Sequence, residues 1–315
     1  MVRIAFFGTP AFAVPSLEAL IKGGEHIVVV VTQPDRPRGR GQKVIHSLVK
    51  ATAIKNKIPV LQPNRAKDQD FHESLTLHSP DLGVVVAYGQ ILPETILRLP
   101  PKGIINVHAS LLPQYRGPAP IQRAVMAGEN NTGITMIRLI REMDAGPILS
   151  QATYPISDDE NSEDLEQALS LLGAKLLLST VRSIAAGRTQ EQPQDHSLAT
   201  FAPLITKEDG RINWRDDALT LHNLVRGLLP RPRAFTCLGG TRLLVLRTSV
   251  ELSSSATGKP GQILAASGDK LQVCCGQRTV LAIHEIQPEG KRVLPIRAFL
   301  AGHPINTGMF FERTK

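Results

Sequence analysis

The sequence predicts an α/β protein: a doubly wound, mostly parallel sheet in an N-terminal domain, followed by a small, OB-like β-barrel in a C-terminal domain. In the first half, apolar β-branched runs alternate with helical patterns, which is typical of a parallel sheet covered by helices. Beyond residue 230, short β-rich runs follow one another at spacings that suit a small barrel. The length of 315 residues is large for one core and favours two domains.

Glycine and proline mark the ends of the first elements. Residues 3–7 form an apolar run that ends at Gly8, and Pro15 then opens a helical pattern closed by Gly23 and Gly24. Residues 26–32 are β-branched, as in a strand buried on both faces. The alternation continues with helices predicted over 46–56, 70–78, 119–128 and 161–187, and with strands predicted over 82–87, 103–107, 134–139 and 148–154.

The composition changes after Arg188. Residues 189–203 are rich in glutamine, proline and small polar residues and have no period, which indicates a linker. A helix over 218–229 then precedes five strands, predicted over 234–238, 241–250, 261–265, 271–275 and 280–286. We therefore expect an α/β domain over 1–188, a linker over 189–205 and a β-barrel domain over 206–315.

Positive charge is concentrated in the predicted second domain. The chain has a net charge of +8, and residues 206–315 carry 16 Lys and Arg against 9 Asp and Glu, which accounts for +7 of it. An excess of this kind suits a polyanion such as nucleic acid. A basic surface without a ligand is the alternative.

Composition also argues against several classes of protein. The longest apolar runs are shorter than a membrane span, and the N-terminus lacks the features of a secretory signal. Three cysteines, two of them adjacent, give neither a disulfide framework nor a zinc-binding spacing. We expect a cytoplasmic monomer that binds no membrane and uses no metal.

A polar pair at the end of a predicted strand gives the strongest indication of chemistry. Asn106 and His108 are two residues apart, so strand alternation places both side chains on one face. Ligands of open α/β sheets bind beyond the carboxyl ends of the strands, where this pair would lie. For His108 taken alone, a hydrogen-bonded structural histidine is the alternative.

A third polar group precedes a tight turn between the next two predicted strands. Asp144 stands directly before the turn Ala145-Gly146-Pro147. Its carboxylate could orient the imidazole and favour the protonated ring. An aspartate that only caps the turn is the alternative.

Four cations occupy a glycine- and proline-rich loop after the second strand, and they are Arg36, Arg38, Arg40 and Lys43. Arginine suits bidentate phosphate contacts, and glycine lets a loop change shape on binding. A solvated basic loop is the alternative. The earlier turn at Gly8-Thr9-Pro10 has one glycine where a dinucleotide site needs three, which argues against an oxidoreductase with a nicotinamide cofactor.

Longer motifs around these residues resemble the folate-dependent formyltransferases. They read Asn106-Val107-His108-Ala109-Ser110-Leu111-Leu112-Pro113, Tyr115-Arg116-Gly117 and Met143-Asp144-Ala145-Gly146-Pro147. The runs 7–13, 32–41 and 204–214 resemble the members of this family that formylate methionyl-tRNA. The resemblance covers the whole chain, closely in residues 1–150 and more loosely after residue 215.

The resemblance implies ligands and site residues. The implied donor is 10-formyltetrahydrofolate, and the implied acceptor is the initiator methionyl-tRNA. The family's catalytic residues correspond to Asn106, His108 and Asp144, whereas Gln114 and Tyr115 receive no role. The family's folate-contacting turn corresponds to Ser110, Leu111, Leu112 and Pro113. Its tRNA-recognising insertion corresponds to the basic loop of Arg36, Arg38, Arg40 and Lys43, with Arg40 the closest match.

In formyl transfer an amine attacks the formyl carbon, and a tetrahedral oxyanion forms. Asn106 can donate a hydrogen bond to that oxyanion, and His108 can stabilise the same charge or carry a proton. Residues 85–89 follow a strand and are our hypothesis for one wall of the pterin slot. Three alternatives remain. The first keeps the fold, as a formyltransferase acting on a nucleotide sugar or ribonucleotide or as the folate-hydrolysing part of a dehydrogenase. The second is an RNA-binding protein with a degenerate enzyme domain, and the third is an oxidoreductase that binds NAD in the α/β domain.

Overall fold

A computed structural model describes residues 1–38, 43–251 and 257–312. The chain divides into two compact units. Unit 1 consists of Met1–Pro120, Asn131–Pro155 and Glu166–Ala202, and unit 2 of Ile121–Asn130, Ile156–Leu165 and Pro203–Lys315. Residues 189–202, which we expected to be a linker, cluster with unit 1. The domain boundaries given above stay a prediction.

The described residues of unit 1 form nine strands. They are β1 (Arg3–Gly8), β2 (His26–Val31), β3 (Arg36–Arg38), β4 (Lys43–Ile45), β5 (Val60–Leu61), β6 (Leu82–Val86), β7 (Ile104–His108), β8 (Asn131–Arg138) and β9 (Ile148–Pro155). Seven of them form one sheet in the order β5-β2-β1-β6-β7-β8-β9. The first five strands of that order are parallel, and β8 and β9 are antiparallel. The predicted mostly parallel sheet is confirmed.

Six α-helices follow these strands in the described part of the chain, and of their residues 121–127 and 162–165 belong to unit 2. The helices are α1 (Val14–Lys22), α2 (Leu48–Lys55), α3 (Gln69–Leu77), α4 (Glu94–Leu97), α5 (Pro120–Ala127) and α6 (Ser162–Ala185). Proline in the first turn of α1 and Gly23 after its last residue give it the expected start and end. Ser47 caps α2 by accepting a hydrogen bond from the Lys50 amide at 3.1 Å. The one-turn helix α4 was not predicted, because four residues are too few to show a period.

Helix α6 is the longest of the described helices, with 24 residues. By length and composition alone it is apolar enough to cross a membrane, but buried core helices pass the same test, and 44% of its most apolar window is buried in the structure. A Cβ at Gly173 would lie 3.1 Å from the Val107 side chain, so the glycine allows close packing of α6 on β7. The helix therefore packs on β7, the strand that carries Asn106 and His108.

Unit 2 is a second, antiparallel structure. It contains α7 (Ala218–Gly227), β10 (Ala234–Leu238), β11 (Thr241–Glu251), β12 (Ile263–Ser267), β13 (Lys270–Cys274), β14 (Val280–Pro288), β15 (Leu294–Pro295) and α8 (Ile296–Gly302). The sheet order is β10-β11-β14-β13-β12, with β15 paired to β14. All described pairs in this sheet are antiparallel.

A short segment near the C-terminus joins the two ends of this sheet. At the β12 end, the Met309 carbonyl accepts from the Ile263 amide at 2.8 Å, and the Phe311 amide donates to the Gly261 carbonyl at 2.9 Å. At the β10 end, the Glu312 amide donates to the Cys237 carbonyl at 2.9 Å. The predicted small barrel therefore closes through a segment that is not itself a strand.

Candidate functional site

Three parallel strands end side by side at one edge of the unit 1 sheet. Gly8 of β1 lies opposite Val86 of β6, and Val85 lies opposite Asn106 of β7. This is the carboxyl edge, where the sequence placed the polar pair. The Asn106 side chain is half-buried, and it has no hydrogen-bond partner among the described residues. Its amide is therefore available to a ligand.

The ring of His108 is buried, with 5% of the residue exposed. Its Nε2 lies 2.9 Å from the carbonyl oxygen of Tyr115. A carbonyl only accepts hydrogen bonds, so Nε2 donates and carries a proton. From the sequence we assigned Tyr115 no chemical role, and the contact found here comes from its backbone carbonyl, which holds the imidazole.

The carboxylate of Asp144 faces the other ring nitrogen. Its Oδ2 lies 3.7 Å from His108 Nδ1, which is close enough for a charge interaction but longer than a hydrogen bond. The same oxygen accepts a hydrogen bond from the Gly117 amide at 2.9 Å. The Asp144 carboxylate therefore faces the ring without a hydrogen bond to it, and the hydrogen bond that holds the ring comes from Tyr115.

The backbone conformation of the turn at Asp144 is one that few residue types adopt. Asp144 has φ +49°, in the left-handed region that aspartate tolerates better than most residues. A Cβ at Gly146 would lie 1.8 Å from the carbonyl oxygen of Arg138, so only glycine fits there. The backbone of this turn therefore holds the Asp144 carboxylate in one position.

The segment predicted as a linker binds the loop that holds His108. Thr200 accepts from the Tyr115 amide through Oγ1 at 2.8 Å and from the Arg116 amide through its carbonyl at 2.9 Å. The Ala202 amide donates to the Arg116 carbonyl at 2.7 Å. These bonds fix the backbone on both sides of the Tyr115 carbonyl. The segment has no sequence period, so no signal in the sequence points to this role.

The turn assigned to folate contacts, Ser110 to Pro113, is held by two side chains outside it that bond to its backbone groups. Thr135 donates to the Ser110 carbonyl at 2.7 Å and accepts from the Leu112 amide at 3.1 Å. Gln151 donates to the Leu112 carbonyl at 2.9 Å. Ser110 and Leu112 are buried, whereas Leu111 and Pro113 are partly exposed. A ligand at this turn would therefore meet the apolar side chains of Leu111 and Pro113.

The proposed pterin wall, residues 85–89, is only partly accessible. The Tyr88 ring is buried in the core with its edge against Phe7, at 5.6 Å between ring centroids. Burial raises the pKa of Tyr88 to about 12. Tyr88 is therefore a core residue and does not line a slot, which corrects that part of the hypothesis. Ala87 and Gly89 are exposed and have positive φ angles.

The basic loop begins as a two-stranded ribbon. Strands β3 and β4 pair antiparallel, so the backbones of Arg36, Arg38 and Lys43 lie in this ribbon, whereas Arg40 lies outside the described residues. At its base the Asp35 carboxylate pairs with the Lys50 ammonium. This hydrogen bond, with further bonds from Gln62 and His46, lowers the pKa of Asp35 to about 2.

A second group of cations, which the sequence did not single out, surrounds a cavity of about 670 Å³ in unit 2. We call it the basic groove; its cations are Lys207, Arg231, Arg233 and Arg242, and its single carboxylate is Glu289. Among the described residues, neither the Lys207 nor the Arg231 side chain has a hydrogen-bond or ion-pair partner. The Arg242 guanidinium lies over the Phe235 ring at 3.8 Å, and its buried Nε has no partner within the described part of the chain. Arg242 lies 3.4 Å from the Glu289 carboxylate, so the positive charge without a partner in the described groove is that of Lys207 and Arg231.

Within residues 1–38, 43–251 and 257–312, no three or more His, Cys, Asp or Glu side chains lie together in a group that could hold a metal ion. The candidate site is thus described by Asn106, His108 and Asp144 together with the backbone of Tyr115 and Gly117.

Comparison with known families matches nearly the whole chain. Residues 2–181 match the model of the formyl transferase family, and residues 204–304 match that of the formyl transferase C-terminal domain. A methionyl-tRNA formyltransferase of Trichlorobacter lovleyi is 44% identical over 306 residues, covering 97% of this chain and 96% of that protein. One from Pelobacter propionicus is 46% identical over 305 residues, covering 97% of this chain and 94% of that protein.

Solved structures show the same fold at much lower identity. The methionyl-tRNA formyltransferase of Clostridium thermocellum has a TM-score of 0.56 at 17% identity, covering 81% of this chain and 96% of that one. An N-formyltransferase of Helicobacter canadensis, in complex with folinic acid and dTDP-3-aminofucose, has a TM-score of 0.67 at 17% identity, covering 91% of this chain and 100% of that one.

Proposed function

Since the chain belongs to the formyl transferase family, we propose that it transfers the formyl group of 10-formyltetrahydrofolate to the amino group of initiator methionyl-tRNA. The observation that carries this proposal is the match to methionyl-tRNA formyltransferases, which exceeds 40% identity and extends through both parts of the chain. A match confined to residues 2–181 would fit any acceptor. The match through the basic second part favours a large polyanionic acceptor.

We assign the oxyanion contact to Asn106. The attacking amine makes the formyl carbon tetrahedral, and the carbonyl oxygen becomes an anion. The side-chain N–H of Asn106 has no competing partner among the described residues, so it can donate to this oxygen. A single donor of this kind contributes roughly 10²–10³ in rate.

His108 carries the proton in this scheme. Its Nε2 is occupied by the Tyr115 carbonyl, so Nδ1 is the nitrogen that can exchange a proton. Nδ1 takes the proton that the attacking amine loses and returns it to the folate nitrogen, whose bond to the formyl carbon breaks. Asp144, 3.7 Å away, stabilises the ring while it holds the extra positive charge.

We further propose that RNA phosphates meet positive charge at two places. One is the loop of Arg36, Arg38, Arg40 and Lys43, and the other is the basic groove. Lys207 and Arg231 of the groove have no carboxylate partner among the described residues, and such cations suit phosphate contacts. An acceptor such as an amino sugar would need neither feature.

The remaining proposals concern the state and place of the protein. We propose a monomer that acts in the cytoplasm without a membrane, with the α/β domain over 1–188 and the tRNA-binding domain over 206–315. Gel filtration at two concentrations tests the monomer. A second peak at twice the mass would contradict it.

Transfer of labelled formyl from 10-formyltetrahydrofolate tests the activity. The acceptors are initiator methionyl-tRNA, elongator methionyl-tRNA, another charged tRNA and a nucleotide-linked amino sugar. We expect the highest kcat/KM with initiator methionyl-tRNA and no label on the amino sugar. Label on the amino sugar alone would replace the proposal with the sugar alternative.

A further inference from the structure

The turn of Asp144 rests on two buried polar side chains that the reaction scheme above does not use. Gln194 and Arg116 are each 6% exposed. Gln194 Nε2 donates to the carbonyl of Asp144 at 2.8 Å and to that of Gly146 at 2.7 Å. One amide group thus binds both ends of the turn.

Arg116 fixes the direction in which this amide points. Its Nε and Nη2 donate to Gln194 Oε1 at 3.1 and 2.6 Å. The guanidinium has only donors, so Oε1 must face it, and Nε2 must face the two carbonyls. Among the described residues no carboxylate pairs with Arg116, and a buried cation without one is costly. The two hydrogen bonds of Arg116 to Gln194 place it in the support of the Asp144 turn.

The carboxylate of Asp144 is held by the same stretch of chain. Gly117, next to Arg116, donates its amide to Asp144 Oδ2 at 2.9 Å. The segment of Arg116 and Gly117 therefore holds Asp144 in two ways. Gly117 binds its carboxylate, and Arg116 orients Gln194, which binds its backbone carbonyl.

We propose that Gln194 is a positioning residue for Asp144: it clamps the turn so that the carboxylate faces His108 Nδ1. The inference rests on the proposed formyl transfer and adds a residue from the segment predicted as a linker. Loss of the clamp frees the turn at a residue with positive φ, and a displacement of about 1 Å at a reacting group can cost roughly 10²-fold in rate.

Gln194→Met tests this by keeping the side-chain volume and removing every hydrogen bond. We expect kcat to fall by about 10- to 100-fold while the KM values for folate and tRNA change by less than about threefold. Gln194→Glu keeps an acceptor for Arg116 and lacks both donors, so it should show the same loss. It decides the question if the Met variant does not fold. Gln192→Met, at an exposed position two residues away, should keep the wild-type rate.

A double-mutant cycle separates positioning from a general structural effect. In an Asp144→Asn background, measured by single turnover, Gln194→Met should reduce the rate by less than about twofold further, because both changes act on one group. Effects that multiply would overturn the inference, as would an unchanged kcat in both Gln194 variants. An inactive wild-type protein would instead refute the formyl transfer itself, so the two failures are distinct.

Discussion

Two arginine environments in this molecule contrast sharply. Arg116 in unit 1 is buried and hydrogen-bonded to Gln194, and its neighbours fix a turn and an imidazole. Arg231 in unit 2 is exposed, and its side chain has no partner among the described residues. Both are costly to the free protein in different ways, the first through desolvation and the second through repulsion from nearby cations. The first is compensated within the fold, and we propose that the second is compensated by the phosphates of the substrate.

This difference predicts how substitutions will behave. Changes around His108 should lower kcat and leave KM and salt dependence alone, because we propose that the groups there act on the reacting atoms. Changes in the basic groove should do the reverse, because exposed charges act at long range and are screened by salt. A variant near His108 that changes KM or the salt dependence, or a groove variant that lowers kcat, would contradict the assignment of its region.

The largest effect is expected for His108→Ala. The variant loses both the proton carrier and the hydrogen bond to Tyr115, so kcat should fall by about 10²–10⁴-fold. Folate binding, followed by fluorescence or calorimetry, should stay within a few-fold of wild type. A variant that retains wild-type kcat would remove His108 from the mechanism.

Asn106→Ala should follow, with a loss of about 10²–10³-fold in kcat if its amide binds the oxyanion. Since the side chain has no protein partner among the described residues, its removal should leave the melting temperature nearly unchanged. Asn106→Asp, with the same shape and no N–H, is the matched variant. Equal activity in the Asp variant would show that donation is not what the residue supplies.

The division between the regions was only partly visible in the sequence. Asn106 and His108 could be predicted because strand alternation and the position of the strand end are local patterns. The roles of Tyr115 and Gln194 could not, because one acts through a backbone carbonyl and the other lies in a segment without a period. These depend on hydrogen bonds between residues distant in the chain, such as Gln194 to Asp144, for which a single sequence has no signal.

The basic groove could not be predicted for the same reason. Composition placed the positive excess after residue 205, yet Lys207, Arg231 and Arg242 meet only after the strands of unit 2 pair. Most helices and strands of at least five residues were predicted to within a few residues, whereas the seven-residue helix α8 (Ile296–Gly302) was not predicted. The barrel was expected from strand spacing, but its closure by residues 309–312 was not, because that segment is too short to show alternation.

Substitutions in the basic groove should have a moderate effect, and it should be on KM and not on kcat. The double variant Lys207→Ala/Arg231→Ala should raise the KM for tRNA by about tenfold with little change in kcat. The slope of log KM against log salt should decrease by about one for each phosphate that the variant no longer neutralises. Lys259→Ala/Lys270→Ala removes the same charge from exposed positions outside the groove and should leave both quantities near wild type. An equal response of the two pairs would mean that net charge, and not the groove, attracts the RNA.

The smallest effect is expected at Asp35, whose charge is paired with the Lys50 ammonium within the protein. The hydrogen bond from Lys50 lowers the pKa of Asp35 to about 2, below its ordinary 3.8, so the folded state favours the ionised carboxylate. The resulting stabilisation is present above about pH 4 and is lost as the pH falls towards 2. Asp35→Asn should therefore lower the melting temperature by about 2–4 °C at pH 6, and the difference from wild type should shrink below pH 4. Asp269→Asn, an exposed carboxylate without a hydrogen-bond partner among the described residues, should show no such difference at either pH. A difference at Asp35 that is the same at pH 6 and pH 2.5 would show that the ionised pair with Lys50 contributes nothing, and that only the shape of the side chain matters at the base of the basic loop.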